Sequence, residues 1–76
     1  MVFAFVLINT IGKTSDTLTL EKLKEIPEVR EAYAVFGSFD IIARIDAKKN
    51  PEGIREVTSR IRKIETVRST CTLIIY

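Results

Sequence analysis

Blocks of apolar residues separated by short polar stretches run through the chain, and four of these blocks have the composition of β-strands. The first block, residues 1–11, is rich in Val, Phe and Ile and almost continuously apolar, which indicates a strand. Both sets of alternating residues in it are apolar, so this strand has to be covered on both faces. The same reasoning predicts three further strands, at residues 29–36, 40–46 and 68–76.

The polar stretch after the first strand leads into a segment with the spacing of an amphipathic helix. Leu20, Leu23 and Ile26 recur at helical intervals and form its predicted buried face. Threonine is a favoured N-cap residue, so the helix is predicted to begin at a cap formed by Thr17 or Thr19.

A second helix is predicted after the third strand. It begins at Asn50-Pro51, because an asparagine cap followed by proline at the first helical position is a common helix start. Its predicted buried stripe consists of Ile54, Val57, Ile61 and Ile64. The chain therefore has the predicted element order β-α-β-β-α-β.

The two halves of the chain resemble each other at a fixed offset of 38 residues. LKEIPEVREAYAV, beginning at Leu23, aligns with IRKIETVRSTCTL, beginning at Ile61, and Arg30 falls on Arg68. Each half is then one split β-α-β unit, and two such units form the ferredoxin-like α+β fold. In this fold the four-stranded antiparallel sheet has the order 4-1-3-2, with both helices on one face.

The other face of this sheet has no helix to cover it, although the first strand is apolar on that side too. The simplest cover for a chain of 76 residues is a second copy, packed sheet against sheet at about 10 Å. The sequence therefore predicts a homodimer of the dimeric α+β barrel type.

The stretch FGSFDI between the second and third strands is predicted to form a tight hairpin. Glycine at the first central position fits a type II′ turn with Gly37-Ser38 at its tip. Phe36 and Phe39 then face each other on the helix-covered side of the sheet. Asp40 is predicted on the opposite, helix-free side, at the rim where another subunit would pack.

Chain direction brings this turn to the same sheet edge as the end of the first strand (Asn9, Thr10), the start of the fourth strand and the start of the first helix. An α-amino acid carries an ammonium and a carboxylate a few ångströms apart. Asp40 is the candidate partner of the ammonium, and backbone N–H groups or the hydroxyls of Thr70 and Thr72 are candidates for the carboxylate. The alternative is structural: Asp40 supports the turn and the threonines are ordinary strand residues.

Composition excludes several other kinds of function. The net charge is +2 with scattered basic residues, whereas nucleic-acid binding needs clustered Lys and Arg. There is no histidine and a single cysteine, Cys71, so no metal site, cofactor or internal disulfide is expected, and the thiol suits a reducing compartment. The first apolar run is shorter than the roughly 20 residues of a membrane helix. We expect a single cytoplasmic domain, residues 1–76, that does not associate with membranes.

The residues around the turn resemble a known family. VREAYAVFGSFDI, from Val29 to Ile41, matches the V-x-x-x-x-x-V-x-G-x-(Y/F)-D-(L/I) stretch of the RAM (regulation of amino acid metabolism) domain of Lrp/AsnC transcription regulators. VRSTCT, from Val67 to Thr72, matches the V-x-x-(T/S)-x-T of their last strand. The resemblance implies amino-acid sensing at an interface between dimers and assembly into octamers or similar rings.

Carried over residue by residue, the resemblance implies effector contacts at Gly37, Ser38, Phe39 and Asp40, with Thr70 and Thr72 added from the last strand. Two features depart from the family pattern. The chain begins directly at the first strand, so it resembles a stand-alone RAM domain without a helix-turn-helix and without direct DNA binding. Phe36 stands where the family often has threonine, which leaves the identity of the effector open.

Three functions follow from these observations. The first is a non-catalytic amino-acid effector-binding and oligomerisation module that acts on full-length Lrp/AsnC regulators. The second is a small cofactor-free oxygenase or isomerase, since the same dimeric architecture supports enzymes. Asp40 and Arg44 are its candidate proton-handling pair, with an ion pair at an interface as the alternative, and Tyr33 and Tyr76 carry further titratable groups. The third is an assembly module that binds no ligand. We expect the first and no enzymatic activity.

Overall fold

The computed structural model describes residues 2–12, 15–47 and 51–75. The elements follow the predicted order and have these bounds: β1 Val2–Thr10, α1 Asp16–Lys24, β2 Val29–Ala34, β3 Ile41–Ala47, α2 Pro51–Arg62 and β4 Val67–Ile75. The sheet order β2-β3-β1-β4 is the predicted 4-1-3-2 read from its other edge. All three strand pairings are antiparallel. The ferredoxin-like α+β fold is therefore confirmed.

The core lies between the sheet and the two helices. Alternate residues of β1 and β3 are fully buried there, and they meet the predicted apolar stripes of the helices. The buried apolar residues are Ala4, Val6, Ile8, Leu23, Ile41, Ala43, Ile45, Ala47, Ile54, Val57 and Ile61. This pattern arises because successive strand side chains point to opposite faces and one face is covered by helix.

The intervening residues of β1 form the helix-free face of the sheet. Phe3, Phe5 and Leu7 are half-buried there, beside Ile42 of β3 and Leu73 of β4. The Phe3 and Phe5 rings meet edge to face with centroids 5.9 Å apart. The prediction that β1 is apolar on both faces is confirmed, and neither of the two helices in the described residues covers the second face.

The internal repeat reappears in the hydrogen bonds that follow each helix. Ile26 N–H donates to the Leu23 carbonyl and Val29 N–H to the Ile26 carbonyl, both at 3.0 Å. The equivalent bonds 38 residues later join Ile64 to Ile61 at 3.1 Å and Val67 to Ile64 at 3.0 Å. The same connection therefore leads each helix into an edge strand. These bonds join Leu23, Ile26 and Val29 after α1, and Ile61, Ile64 and Val67 after α2.

Both edge strands also contain an irregularity at equivalent positions. The pairing of β2 with β3 shifts register between Val29 and Glu31, leaving Arg30 as the extra residue. In β4, Val67 pairs with Thr10 and Ser69 with Asn9, so Arg68 is the extra residue. A β-bulge at each arginine redirects the residues that follow it, which the period-2 pattern does not predict.

The first helix begins earlier than predicted. Its first residue is Asp16, and Ser15 occupies the N-cap position without a side-chain hydrogen bond. The prediction of a cap at Thr17 or Thr19 is therefore wrong: both residues lie inside α1, and the hydroxyl of Thr19, which is completely buried, donates to the Ser15 carbonyl. The predicted cap at Asn50 lies outside the described residues.

No helix in the described ranges is long and apolar enough to cross a membrane. Within the same ranges, no group of three or more His, Cys, Asp and Glu residues could hold a metal ion.

Candidate functional site

The hairpin turn between β2 and β3 lies where it was predicted. The ladder pairs Ala34 with Ile41, and Val35 N–H donates to the Asp40 carbonyl at 2.9 Å. This register places Gly37 and Ser38 at the tip. Gly37 has φ +137°, a conformation that residues with a Cβ rarely adopt, so glycine is required there.

The predicted positions of the two flanking phenylalanines need correction. Phe36 is 96% exposed instead of lying in the helix-covered core, and Phe39 is half-buried. Regular pairing ends at Ala34 and Ile41, so alternation between the two faces does not extend into the turn. Strand β2 is correspondingly two residues shorter than predicted.

Asp40 connects the turn to the end of β1 instead of lying free on the helix-free rim. Its Oδ2 accepts a hydrogen bond from Thr10 N–H at 2.9 Å, and the Thr10 hydroxyl lies 3.3 Å from the same oxygen. In addition, Asp40 N–H donates to the Ile8 carbonyl at 2.9 Å. These bonds are what the structural alternative requires of Asp40.

Thr10 joins this corner to the first helix. The hydroxyl oxygen of Thr10, which is almost fully buried, lies 2.7 Å from Oδ1 of Asp16 at the start of α1. The turn, the end of β1 and the N-terminus of α1 are therefore in contact at one sheet edge. The Asp16 contact was missed from the sequence, although acidic residues favour the first turn of a helix.

Hydrogen-bonding capacity remains at this edge. The half-buried Asp40 uses Oδ2 for Thr10, and no bond to its Oδ1 occurs among the described residues. In that same part of the chain, the N–H groups of Gly37 and Ser38 donate no hydrogen bond. A carboxylate oxygen and two backbone donors can bind an ammonium and a carboxylate respectively.

The two candidate threonines of β4 lie farther away. Thr70 pairs with Ile8 and Thr72 with Val6, so both are separated from β3 by the width of β1. The Thr70 hydroxyl accepts a hydrogen bond from Arg62 Nε at 3.0 Å. No hydrogen bond joins either threonine to residues 37–40 in the described ranges, so the edge of one chain does not bring them together.

The turn is open to solvent in a single chain. Gly37 and Ser38 are exposed, and none of the four cavities we describe includes residues 37–40. The largest of these, about 580 Å³, lies at the opposite end of β3, beside Asp46 and Gly53. Small-molecule sites bury most of their ligand, so a ligand at the turn needs further walls.

The side chains considered for catalysis, Asp40, Arg44 and Tyr33, form contacts with other residues instead of with each other. Arg44 lies within salt-bridge distance of Glu31, at 3.7 Å, and of Asp46, at 3.4 Å, while Asp40 bonds to Thr10. The predicted Asp40–Arg44 pair is therefore wrong. The hydrogen bond from Tyr33 to Glu31 raises the pKa of the phenol, which disfavours its ionisation near neutral pH.

Comparison with known proteins places these features in a family. The family model for the Lrp/AsnC ligand-binding domain matches residues 3–76. The HTH-type transcriptional regulator FL11 of Pyrococcus furiosus is 33% identical over 75 residues, 97% of this chain and 48% of the regulator. A homocitrate synthase of Sulfurisphaera tokodaii is 26% identical over 72 residues, 95% of this chain and 15% of the enzyme.

Solved structures have the same fold. The crystal structure of FFRP-DM1 is 34% identical with a TM-score of 0.88, and the alignment covers 100% of both chains. A feast or famine regulatory protein from M. tuberculosis, complexed with L-methionine, is 25% identical with a TM-score of 0.83 over 99% of this chain and 50% of that one. This chain spans about half of one curated relative and 15% of the other. It belongs to the Lrp/AsnC ligand-binding domain family.

Proposed function

We propose that this domain is a non-catalytic module that binds a free α-amino acid at the edge formed by residues 37–40 and the start of α1. The observation that carries the proposal is the bonding capacity that the described residues leave unused in this turn, at Oδ1 of Asp40 and at the N–H groups of Gly37 and Ser38. These groups match the opposite charges of the two ends of an amino acid. The methionine bound by the M. tuberculosis relative supports this ligand class.

In this arrangement Asp40 has two functions. Oδ2 fixes the end of β1 through Thr10, and Oδ1 receives the ammonium of the ligand. The hydrogen bonds to Thr10 hold the carboxylate in place before the ligand arrives, which reduces the entropic cost of binding. Gly37 leaves its backbone approachable, since apart from its two chain neighbours no heavy atom of the described residues lies within 4 Å of the position where a Cβ would be.

The open turn also implies that the site is completed by another subunit. We propose that two copies pack through the helix-free sheet face and that such dimers assemble further, into an octamer or a similar ring. Residues of a neighbouring dimer would then enclose the turn. Thr70 and Thr72 remain candidate effector contacts, and full-length Lrp/AsnC regulators are the proposed partners of the module.

Calorimetric titration against the twenty amino acids tests the binding site. We expect at least one amino acid to bind the wild-type chain. Asp40→Asn should weaken its binding about tenfold or more, because the amide cannot neutralise the ammonium. Glu21→Gln, on the exposed side of α1, is the matched control and should bind like the wild type.

Circular dichroism and sedimentation of Asp40→Asn separate the alternatives. A variant that folds and assembles but binds no effector supports sensing. Loss of the fold would show that Asp40 is structural, and the Ser38→Pro variant, which removes one backbone donor at the tip, would then test the site. If no amino acid binds the wild type at millimolar concentration, the function is assembly alone and the proposal is wrong.

A further inference from the structure

A cavity of about 310 Å³ lies at the start of β4, beside the bulge at Arg68. Two guanidinium groups line it, that of Arg62 from the end of α2 and that of Arg68 from the bulge. The hydroxyl groups of Ser69 and Thr70 complete its polar lining, and no carboxylate is among the described residues that line it. The cavity therefore presents positive charge and hydroxyl groups together.

The hydrogen bonds around this cavity leave donors available for a ligand. Arg62 Nε donates to the Thr70 hydroxyl at 3.0 Å, so among the described residues both Nη groups of Arg62 and the hydroxyl proton of Thr70 remain unused. Asn9 Nδ2 donates to the Ser69 hydroxyl at 3.3 Å, and the Ser69 proton is likewise unused. The side chain of Arg68 forms no hydrogen bond or ion pair within residues 2–12, 15–47 and 51–75.

The internal repeat provides a second cavity for comparison. Each residue that lines the cavity at β4 has a counterpart 38 residues earlier, and these counterparts line a cavity of about 250 Å³ at the start of β2. There the equivalent arginine, Arg30, lies within 3.5 Å of Oδ2 of Asp46. Glu31 also lines that cavity, at the position equivalent to Ser69. In the first half of the chain, carboxylates of the protein therefore balance the charge of the arginine.

In the second half an apolar residue occupies the place of the balancing carboxylate. Asp46 N–H donates to the Glu28 carbonyl at 3.0 Å. The equivalent bond beside β4 is donated by Ile11 N–H to the Thr66 carbonyl, also at 3.0 Å. Ile11 thus holds the position of Asp46, and its side chain is apolar and 64% exposed. The charge of Arg68 is therefore left for a ligand.

We propose that the cavity lined by Arg62, Arg68, Ser69 and Thr70 binds a phosphoryl group, either of free phosphate or of a small phosphorylated molecule. A phosphoryl group has about −1.5 to −2 charges near pH 7 and three acceptor oxygens, which match two guanidinium groups and two hydroxyls. A single carboxylate has less charge and fewer oxygens, so it would leave part of this donor set unused.

This inference goes beyond the proposed function and does not rest on it, because residues 37–40 are not part of the cavity. Thr70 is also a candidate effector contact, so it is left unchanged in the variants that test the phosphoryl site. Two arginines are far fewer than the basic cluster that nucleic-acid binding needs, and a small ligand is therefore the class that fits.

Calorimetric titration of the full chain with sodium pyrophosphate, against sodium chloride at matched ionic strength, tests the site. The wild type should bind pyrophosphate saturably. Arg68→Gln should weaken this binding about tenfold or more, because a charge-assisted pair is lost. Arg30→Gln, the equivalent change in the first half of the chain, is the matched control and should bind within about twofold of the wild type.

A second pair of variants restores the carboxylate that the first half has. Ile11→Asp should pair with Arg68 and weaken pyrophosphate binding about tenfold. Ile11→Asn has nearly the same shape as the aspartate variant but no charge, and it should bind like the wild type. Circular dichroism should show that all four variants are folded.

Inorganic phosphate, AMP and malonate distinguish the sources of the negative charge. Tighter binding of phosphate than of AMP would identify the free anion as the ligand, and the reverse would identify a phosphorylated molecule. Malonate binding as tight as that of either would overturn the phosphoryl assignment. So would pyrophosphate binding no stronger than that of chloride, or a folded Arg68→Gln variant with full affinity. Each of these results leaves the amino-acid site untouched, and a chain that binds no amino acid would leave this inference standing.

Discussion

The pair formed by Glu28 and Arg60 shows how a single carboxylate links two elements of the fold. Oε1 of Glu28 lies 2.9 Å from Nη2 of Arg60, which joins the connection after α1 to α2. A hydrogen bond from its own backbone N–H and then the bond from Arg60 lower the pKa of Glu28 below its ordinary value of 4.5. Charge on this carboxylate therefore favours the folded state.

This gives the chain a defined pH dependence. A carboxyl group whose pKa is lowered by folding stabilises the protein above pH 4.5, and the contribution is lost as the pH falls through the folded-state pKa. Because both side chains are partly exposed, we expect Glu28→Gln to reduce the free energy of unfolding at pH 7 by only about 0.5 kcal/mol.

Urea unfolding at pH 7 and pH 3 measures the effect. The difference between wild type and Glu28→Gln should be present at pH 7 and should be smaller at pH 3, as the carboxylate becomes protonated. Glu21→Gln is the control, since Glu21 forms no ion pair among the described residues. A difference of the same size at both pH values would mean that the variant acts through packing and not through charge.

Thr19 is a buried polar residue that the apolar spacing of α1 did not reveal. Its hydroxyl donates to the Ser15 carbonyl at 2.7 Å and lies 2.6 Å from the hydroxyl of Thr66, so it joins the start of α1 to the residue before β4. Thr19→Val keeps the shape but leaves the Thr66 hydroxyl without this partner. We expect a loss of about 1–2 kcal/mol of unfolding free energy.

The double variant identifies the cause of that loss. Thr66→Val should also destabilise, and Thr19→Val with Thr66→Val should cost less than the sum of the two single changes, because the contact between the two hydroxyls is lost only once. Strict additivity in chemical denaturation would show that the contact between the two hydroxyls contributes nothing.

At the scale of the elements, the hairpin of β2 and β3 depends on the backbone conformation at its tip. Gly37 has φ +137°, whereas Gly12 has no such requirement, and neither has a heavy atom near the position of a Cβ. Gly37→Ala is therefore a test of backbone strain alone. It should destabilise the fold by about 1–2 kcal/mol, and Gly12→Ala should change stability by less than about 0.5 kcal/mol.

Thermal unfolding of the two alanine variants measures this difference. Equal effects would contradict the assignment of strain to Gly37, because the open space around the two residues is the same. The readout is stability and does not depend on whether the turn also binds an effector.

The elements that the sequence predicts correctly are those in which local pattern and tertiary packing agree. The two-sided apolar pattern of β1 and most of the stripe of α2 follow from periodicity, and the structure confirms them. Ile64, the last residue of the predicted stripe, lies beyond the end of α2 and is only partly buried. Periodicity fails where pairing ends: extending the alternation of β2 two residues too far places Phe36 in the core, whereas its side chain is exposed.

The internal repeat carries information that periodicity lacks. The bulges at Arg30 and Arg68 break the two-residue alternation, so Val29 and Ala32 both pack on the helix side of β2 although they are three residues apart. The alignment of the halves places the two arginines on each other, but identifies neither as a bulge.

The Asp40–Thr10–Asp16 contacts of the candidate site could not be predicted in the same way. They depend on packing between distant segments, and sequence spacing does not determine which oxygen meets which donor.

At the scale of the whole molecule, the 76-residue chain is small for its amount of apolar surface. A domain of this size buries only about 60% of the surface that its unfolded chain exposes. The helix-free face carries Phe3, Phe5 and Leu7, and Arg44 lies 4.7 Å from the centroid of the Phe3 ring. Covering this face with a second copy would exclude water from those side chains.

Two leucines of nearly equal exposure allow the helix-free face to be compared with another part of the surface. Leu73 is 50% exposed on the helix-free face, where it pairs with Phe5, and Leu18 is 48% exposed on α1. A glutamate at position 73 would bring its charge into the apolar contact between copies. We expect Leu73→Glu to weaken self-association about 30-fold or more, which corresponds to roughly 2 kcal/mol.

Sedimentation equilibrium of the wild type, Leu73→Glu and Leu18→Glu measures the association directly. The wild type and Leu18→Glu should be dimeric or larger at micromolar concentration, and Leu73→Glu should dissociate into folded monomers. If both variants associate like the wild type, the sheet face does not form the contact. If Leu18→Glu alone dissociates, the copies meet through the helices, and the turn would then need a different neighbour to enclose its ligand.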